Sequence, residues 1–139
     1  MSTEIAAKLN ELLEAERAGV ETLAALKRAH PEYEAQLEAV MKDEAWSCAG
    51  LHRAVEALSD VPTTATGDFA TRVMALEGLV ERLNLLSRGQ RWVIRRIDAL
   101  LEDPLSAETQ EFLREMKVAH QKNVDWCDQV AQSLGGGGS

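Results

Sequence analysis

From Thr3 to Ala29 the chain reads TEIAAKLNELLEAERAGVETLAALKRA, and the spacing of this stretch decides the fold. Ile5, Leu9, Leu12, Glu16, Gly19, Leu23 and Leu26 recur at alternating steps of four and three. That repeat draws one stripe along one face of a helix, as in helices that pack in bundles. Ser2 or Thr3 can cap the start, and Glu4 suits the positive helix end. The stripe is apolar at both ends and carries a carboxylate, Glu16, in its middle.

Three further segments repeat this design. His30-Pro31 breaks the first, and Pro31 suits the first turn of a second running from about Glu32 to Leu58. Its stripe is Tyr33, Leu37, Val40, Glu44, Ser47 and Leu51, continued by Val55 and Leu58. A polar stretch, Ser59 to Gly67, ends it. The third segment covers Asp68 to Leu101, with Gly78 as a candidate break and the stripe Leu83, Ser87, Gln90, Ile94, Ile97, Leu101. Glu102 to Ser106 is a turn, with Ser106 a good N-cap. The fourth segment runs from Ala107 to Leu134 with the stripe Leu113, Met116, His120, Asn123, Cys127, Val130, Leu134. No segment has a strand period and no internal repeat is present. The expectation is one all-α domain over residues 1–134.

Composition narrows the function classes. The chain has 139 residues, 45% hydrophobic, with 4% aromatic and 3 Pro. It can bury one core, and it lacks the aromatic and turn residues of a β-sandwich. A net charge of −8 disfavours nucleic acid and anionic membrane surfaces. No apolar run is long enough to span a bilayer, and the acidic amphipathic start is unlike a signal peptide. Two Cys do not make a disulfide framework, so a reduced cytoplasmic protein is expected. Residues 135–139 read GGGGS, the composition of an engineered flexible linker.

All four stripes turn polar at mid-helix. Glu16, Glu44 with Ser47, Ser87 with Gln90, and His120 with Asn123 should therefore meet at one height. A buried carboxylate costs several kcal/mol without a partner, and two close together repel. Hydrogen bonds, shared protons, a charged His120 or a metal ion must satisfy this layer. Glu16, Glu44 and His120 are the candidate metal ligands. Ser47, Ser87, Gln90 and Asn123 are candidates to orient water or a small-molecule ligand.

Four stretches carry a resemblance to small bacterial ferritin-like proteins: LLEAERAGV (12–20), KDEAWSCAGL (42–51), TGDF (66–69) and LNLLSRGQRWVIRRI (83–97). The resemblance implies a ferritin-like four-helix bundle with a crossover between the second and third long helices. It also implies carboxylate and Glu-x-x-His metal ligands on facing helices. Glu16 and Glu44 match the carboxylates of the first two helices. Ser47 stands where the pattern has His, Gln90 where the third helix would place a carboxylate, and His120-x-x-Asn123 where it has Glu-x-x-His. Three strong ligands suit one divalent ion (Fe, Mn or Zn) rather than two. The readings are a non-haem metal oxidase or ion-binding protein, a non-catalytic dimeric domain with a metal-free polar layer, or an engineered scaffold with an emptied site.

The crossover carries a length condition. Ser59 to Thr66 extends to at most about 30 Å, whereas the second helix is nearer 40 Å. Residues 67–77 must therefore help to bridge it, as a short helix or elbow ending near Gly78. Cys48, Cys127, Met41, Met74 and Met116 read as core filler. Ser47 as a nucleophile lacks an oxyanion hole, because mid-helix N–H groups are already bonded. Arg88, Arg91, Arg95 and Arg96 read as a solvated band paired with Glu. Trp46 and Trp92 fall off the stripes, which suggests a homodimer face.

Overall fold

A computed structural model describes residues 2–136. It is all-helical, with no strand among the described residues. Helix α1 is Ser2–Ala29, α2 is Glu34–Ala57, α3 is the short Phe69–Met74, α4 is Leu79–Leu100 and α5 is Ala107–Ala131. A single 3-10 turn, Pro31–Tyr33, joins α1 to α2 and starts with the proline that breaks the first segment. Ser106 caps α5 by accepting the Thr109 N–H at 3.1 Å. No helix is long and apolar enough to cross a membrane among the described residues.

Two apolar clusters hold the four long helices together. One joins Leu9, Leu12 and Leu13 of α1 to Leu51 and Val55 of α2, Val93, Ile97 and Leu100 of α4, and Leu113 and Met116 of α5. The other joins Leu23 and Leu26 to Leu37 and Val40, Leu83 and Leu86, and Cys127 and Ala131, with Val73 of α3 added. The start of α1 thus shares a cluster with the ends of α2 and α4 and the start of α5. Burying each Leu contributes about 1.5–3 kcal/mol.

The chain between α2 and α3 lies along α1. Ser59, at φ 59°, turns the chain out of α2 in a left-handed conformation. The Asn10 side chain then clamps the backbone, donating to Val61 O at 3.1 Å and accepting from Thr63 N–H at 2.8 Å. Arg17 donates to Thr63 O, and the Thr66 hydroxyl donates to Glu21. These partners step along α1 from Asn10 to Glu21, satisfying loop polar groups that have no ladder of their own. Gly67, at φ 75°, makes the turn into α3, where a side chain would be strained. The expected third segment is thus two helices, and α4 begins at Leu79 with Gly78 as its N-cap.

Two stripes differ from the sequence reading. In α4 the buried residues are Leu83, Leu86, Ser87, Gln90, Val93, Ile97 and Leu100, while Ile94 and Leu101 are only half-buried. A buried helix face is broader than a strict seam and drifts from a 3.5-residue repeat, so the neighbouring positions turn inward. In the fourth segment α5 ends at Ala131 and a π-turn, Gln132–Gly136, follows. That change of winding leaves Leu134 50% exposed. The glycine tail therefore starts within this turn, where Gly135 approaches Val80. Residues 137–139 of the tail lie outside the described residues.

Candidate metal centre

Between the two apolar clusters lies a buried polar layer. Glu16 is 1% exposed, Glu44 2% and His120 0%. They come from mid-α1, mid-α2 and mid-α5. One ligand atom from each lies within 4.8 Å of the other two. The Nε2 of His120 is 2.9 Å from Glu16 Oε1, 3.1 Å from Glu16 Oε2 and 3.3 Å from Glu44 Oε2.

The other imidazole nitrogen is already committed. Nδ1 lies 2.9 Å from the Met116 carbonyl one turn back, an acceptor only, so Nδ1 carries the hydrogen. A neutral His120 then presents the Nε2 lone pair to the carboxylates, the tautomer a metal ligand needs. A charged His120 instead offers one Nε2–H to three carboxylate oxygens. One hydrogen cannot serve them all, and Glu16 Oε1 and Glu44 Oε2 are left without hydrogen-bond partners although both lie close to Nε2.

The electrostatics follow from this crowding. Burial, and next the Glu44 charge, raise the Glu16 carboxyl well above the usual carboxylate range, against the opposing pull of His120. Burial also works against the Glu44 carboxylate. Hydrogen bonds from Glu16 and His120, the His120 charge and the Gln90 amide overcome it and hold Glu44 below the usual range. Burial disfavours the His120 imidazolium too, but both carboxylates outweigh it, and its pKa rises well above the ordinary value. Without an ion these directions favour a carboxyl, a carboxylate and an imidazolium, a combination with no net charge.

The surrounding polar residues divide. Gln90 joins the triad, its Nε2 donating to Glu44 Oε1 at 2.7 Å. Its Oε1 is buried without a partner, as is the Nδ2 of Asn123. Ser47 turns back on its own helix, donating to Asp43 O at 3.0 Å. Ser87 donates to Asp128 Oδ1 at 2.7 Å, beside the Arg91–Asp128 ion pair, and not to Glu16 or Glu44. Its position beside the α4 face centre lets it reach α5 instead of the layer. Burial first, then Glu16 and Glu44, push the Cys48 thiol up to about 12, so it stays a thiol.

Gly19 is a site residue whose role the sequence did not reveal. A Cβ there would lie 2.6 Å from Glu44 Oε1, so the bare α1 backbone makes room for the carboxylate. Beside this gap a cavity of about 480 Å³ runs between α1, α3 and α4. Glu16, Gly19, Glu44 and Gln90 form part of its lining. The two off-stripe indoles lie on different helix pairs. Trp46 is 40% exposed and packs on Phe112 of α5, while Trp92 lines the cavity and sits under Arg96.

No curated protein and no solved structure matches the chain. One family model matches residues 3–129, which include every helix up to the last turn of α5 and all three residues of the triad. The chain belongs to that family, described as a domain of unknown function (DUF6306).

Proposed function

We propose that this is a ferritin-like four-helix bundle, with a crossover between α2 and α4, that binds one divalent metal ion at Glu16, Glu44 and His120. The observation that carries the metal reading is the convergence of two buried carboxylates on one imidazole nitrogen, with two oxygens unpartnered. The donor chemistry fits: two carboxylates and an imidazole suit Fe, Mn or Zn. A divalent ion with two carboxylates and a neutral imidazole is uncharged overall. It would therefore take the place of the two extra protons of the metal-free triad without leaving a net charge in the core. Three protein ligands leave positions open, as catalytic metal sites require, and the cavity gives access. A non-haem oxidase role agrees with this openness, and simple ion binding agrees with it equally. When bound, the ion would supply Lewis-acid or redox chemistry. Gln90 would hold Glu44 in place, and Gly19 would keep the space it occupies. The crossover is supported by the loop along α1 and by the shared cluster at the ends of α2 and α4.

Elemental analysis of the purified chain, followed by calorimetric titration of the metal-free form with Fe(II), Mn(II), Zn(II) and Co(II), tests the metal reading. One equivalent should bind, and His120→Ala should abolish it. Failure of all four ions to bind would leave the second reading, a metal-free layer that fixes helix register. The Gln90 hydrogen bond to Glu44 favours that alternative. A cytoplasmic homodimer goes with either reading, the exposed Trp46 being its best-placed anchor.

A further inference from the structure

We propose that the groove between α1, α3 and α4 binds a small organic carboxylate with an apolar body. The proposal stands on the cavity and its arginines, and does not depend on a metal at the triad. Its volume, about 480 Å³, lies in the range of small-molecule sites. Phe69, Leu85, Trp92 and Val93 supply apolar wall. Gly89 keeps that wall open, since a Cβ there would stand 2.9 Å from the Phe69 ring.

The charges around the groove point to an anion. Four of the five arginines of α4 form a band, and they fall into two pairs by partner. Arg91 is paired with Asp128, and Arg96 with Glu11 at 3.2 Å. Arg88 and Arg95 line the groove, and among the described residues neither has a carboxylate within ion-pair distance. Arg72 of α3 also lines it, its guanidinium 5.8 Å from the Phe69 ring and likewise without an ion pair. Arg88 and Arg95 are seven residues apart, two helical turns or about 10.5 Å, and so lie along one edge. In a chain of net charge −8, three guanidinium groups without ion pairs line one concave site, while the two carboxylates of its lining, Glu16 and Glu44, are taken up by His120. Guanidinium groups grip carboxylates bidentately. The apolar wall then takes the body, and the unpartnered Gln90 Oε1 lies at the inner side near Glu44. An aliphatic carboxylate satisfies the wall and the arginines together. A bare inorganic anion would leave the wall unused.

Titration of the metal-free full chain with decanoate, decanol, decyl phosphate and decyltrimethylammonium tests this, read by calorimetry and tryptophan fluorescence. Decanoate should bind at one equivalent, about tenfold or more tighter than decanol, and the cation should not bind. The double variant R88Q/R95Q changes two exposed side chains. It should keep its circular dichroism, lose about tenfold or more in decanoate affinity, and bind decanol unchanged. Equal affinity for decanoate and decanol would overturn the proposal. So would the absence of saturable binding, or unchanged decanoate affinity in R88Q/R95Q. Tighter decyl phosphate binding would overturn the carboxylate assignment. Cobalt titration of the same proteins reports the metal site separately, so either reading can fail while the other stands.

Discussion

The ends of this protein and its middle are built on opposite rules. At each end apolar side chains from all four long helices close into a cluster whose members are almost wholly buried. Between them the same helices bury two carboxylates and an imidazole just as deeply. The ends gain stability from every buried methylene. The middle carries the desolvation cost of its charges and recovers it only through mutual pairing. A layer that a few Leu could replace without penalty is therefore a mark of function or of register, and not of stability.

The largest expected effect comes from breaking an end. Leu113→Ala removes a fully buried side chain from the first cluster. It should cost about 2–5 kcal/mol in denaturant unfolding. The triad lies outside that cluster, so metal stoichiometry measured on the folded fraction should stay at one.

The middle should lose its metal before it loses stability. Glu44→Gln keeps the shape and the Gln90 contact but removes one charge. Metal affinity should fall about 100-fold or more, as expected when a ligand is lost. Metal-free stability should stay nearly level, because Glu16, 2.9 Å from His120 Nε2, can release its proton and replace Glu44 as the partner of the imidazolium. A large loss of metal-free stability would show that Glu16 cannot replace Glu44 as the partner of His120, and the contrast between ends and middle would fail.

Acidity sharpens the same contrast. Glu16 and His120 both have folded-state pKa values raised above their unfolded ones. Their stabilising contribution is complete below the unfolded values, about 4.5 and 6.5, and is lost as pH rises through the folded values. Glu44 is lowered, so its contribution is present above about 4.5 and is lost as pH falls through its folded value. Metal-free protein should therefore lose stability as pH rises above about 6.5, seen as a falling urea midpoint. A bound divalent ion replaces the two protons, so saturating metal should flatten or reverse that slope. A metal-free midpoint that rises steadily through this range would contradict the charge assignment.

What the sequence could disclose follows the same division. The four long helices were legible because Pro31, Ser106 and the apolar stripes are local signals. The shared height of Glu16, Glu44 and His120 was legible because stripe register places equivalent positions together, and the structure brings these three to one point. Ser87 was not legible, since its hydroxyl could turn to the layer or to Asp128, and only the packing of α4 on α5 decides. The groove was hidden for the same reason. Arg88 and Arg91 look alike in a sequence, and only the fold gives one a carboxylate and the other a cavity.

Gly19 offers the smallest and most selective test, because fold and site should move in opposite directions at one atom. It lies inside α1, where a glycine is worth roughly 0.5–1 kcal/mol less than alanine through backbone entropy. Gly19→Ala should therefore gain a few tenths of a kcal/mol up to about that amount in the metal-free protein. The added Cβ meets Glu44 Oε1 at 2.6 Å, the far end of a side chain that can swing aside. Yielding there costs the fold little, but it carries the carboxylate away from His120 Nε2, now 3.3 Å from Glu44 Oε2. Metal affinity should drop about tenfold, a loss of about 1.4 kcal/mol in binding, while the urea midpoint without metal rises. If affinity is unchanged, Glu44 does not need the room that Gly19 leaves. If both affinity and stability fall, the α1–α2 contact is too rigid to yield, and the middle is packed as tightly as the ends.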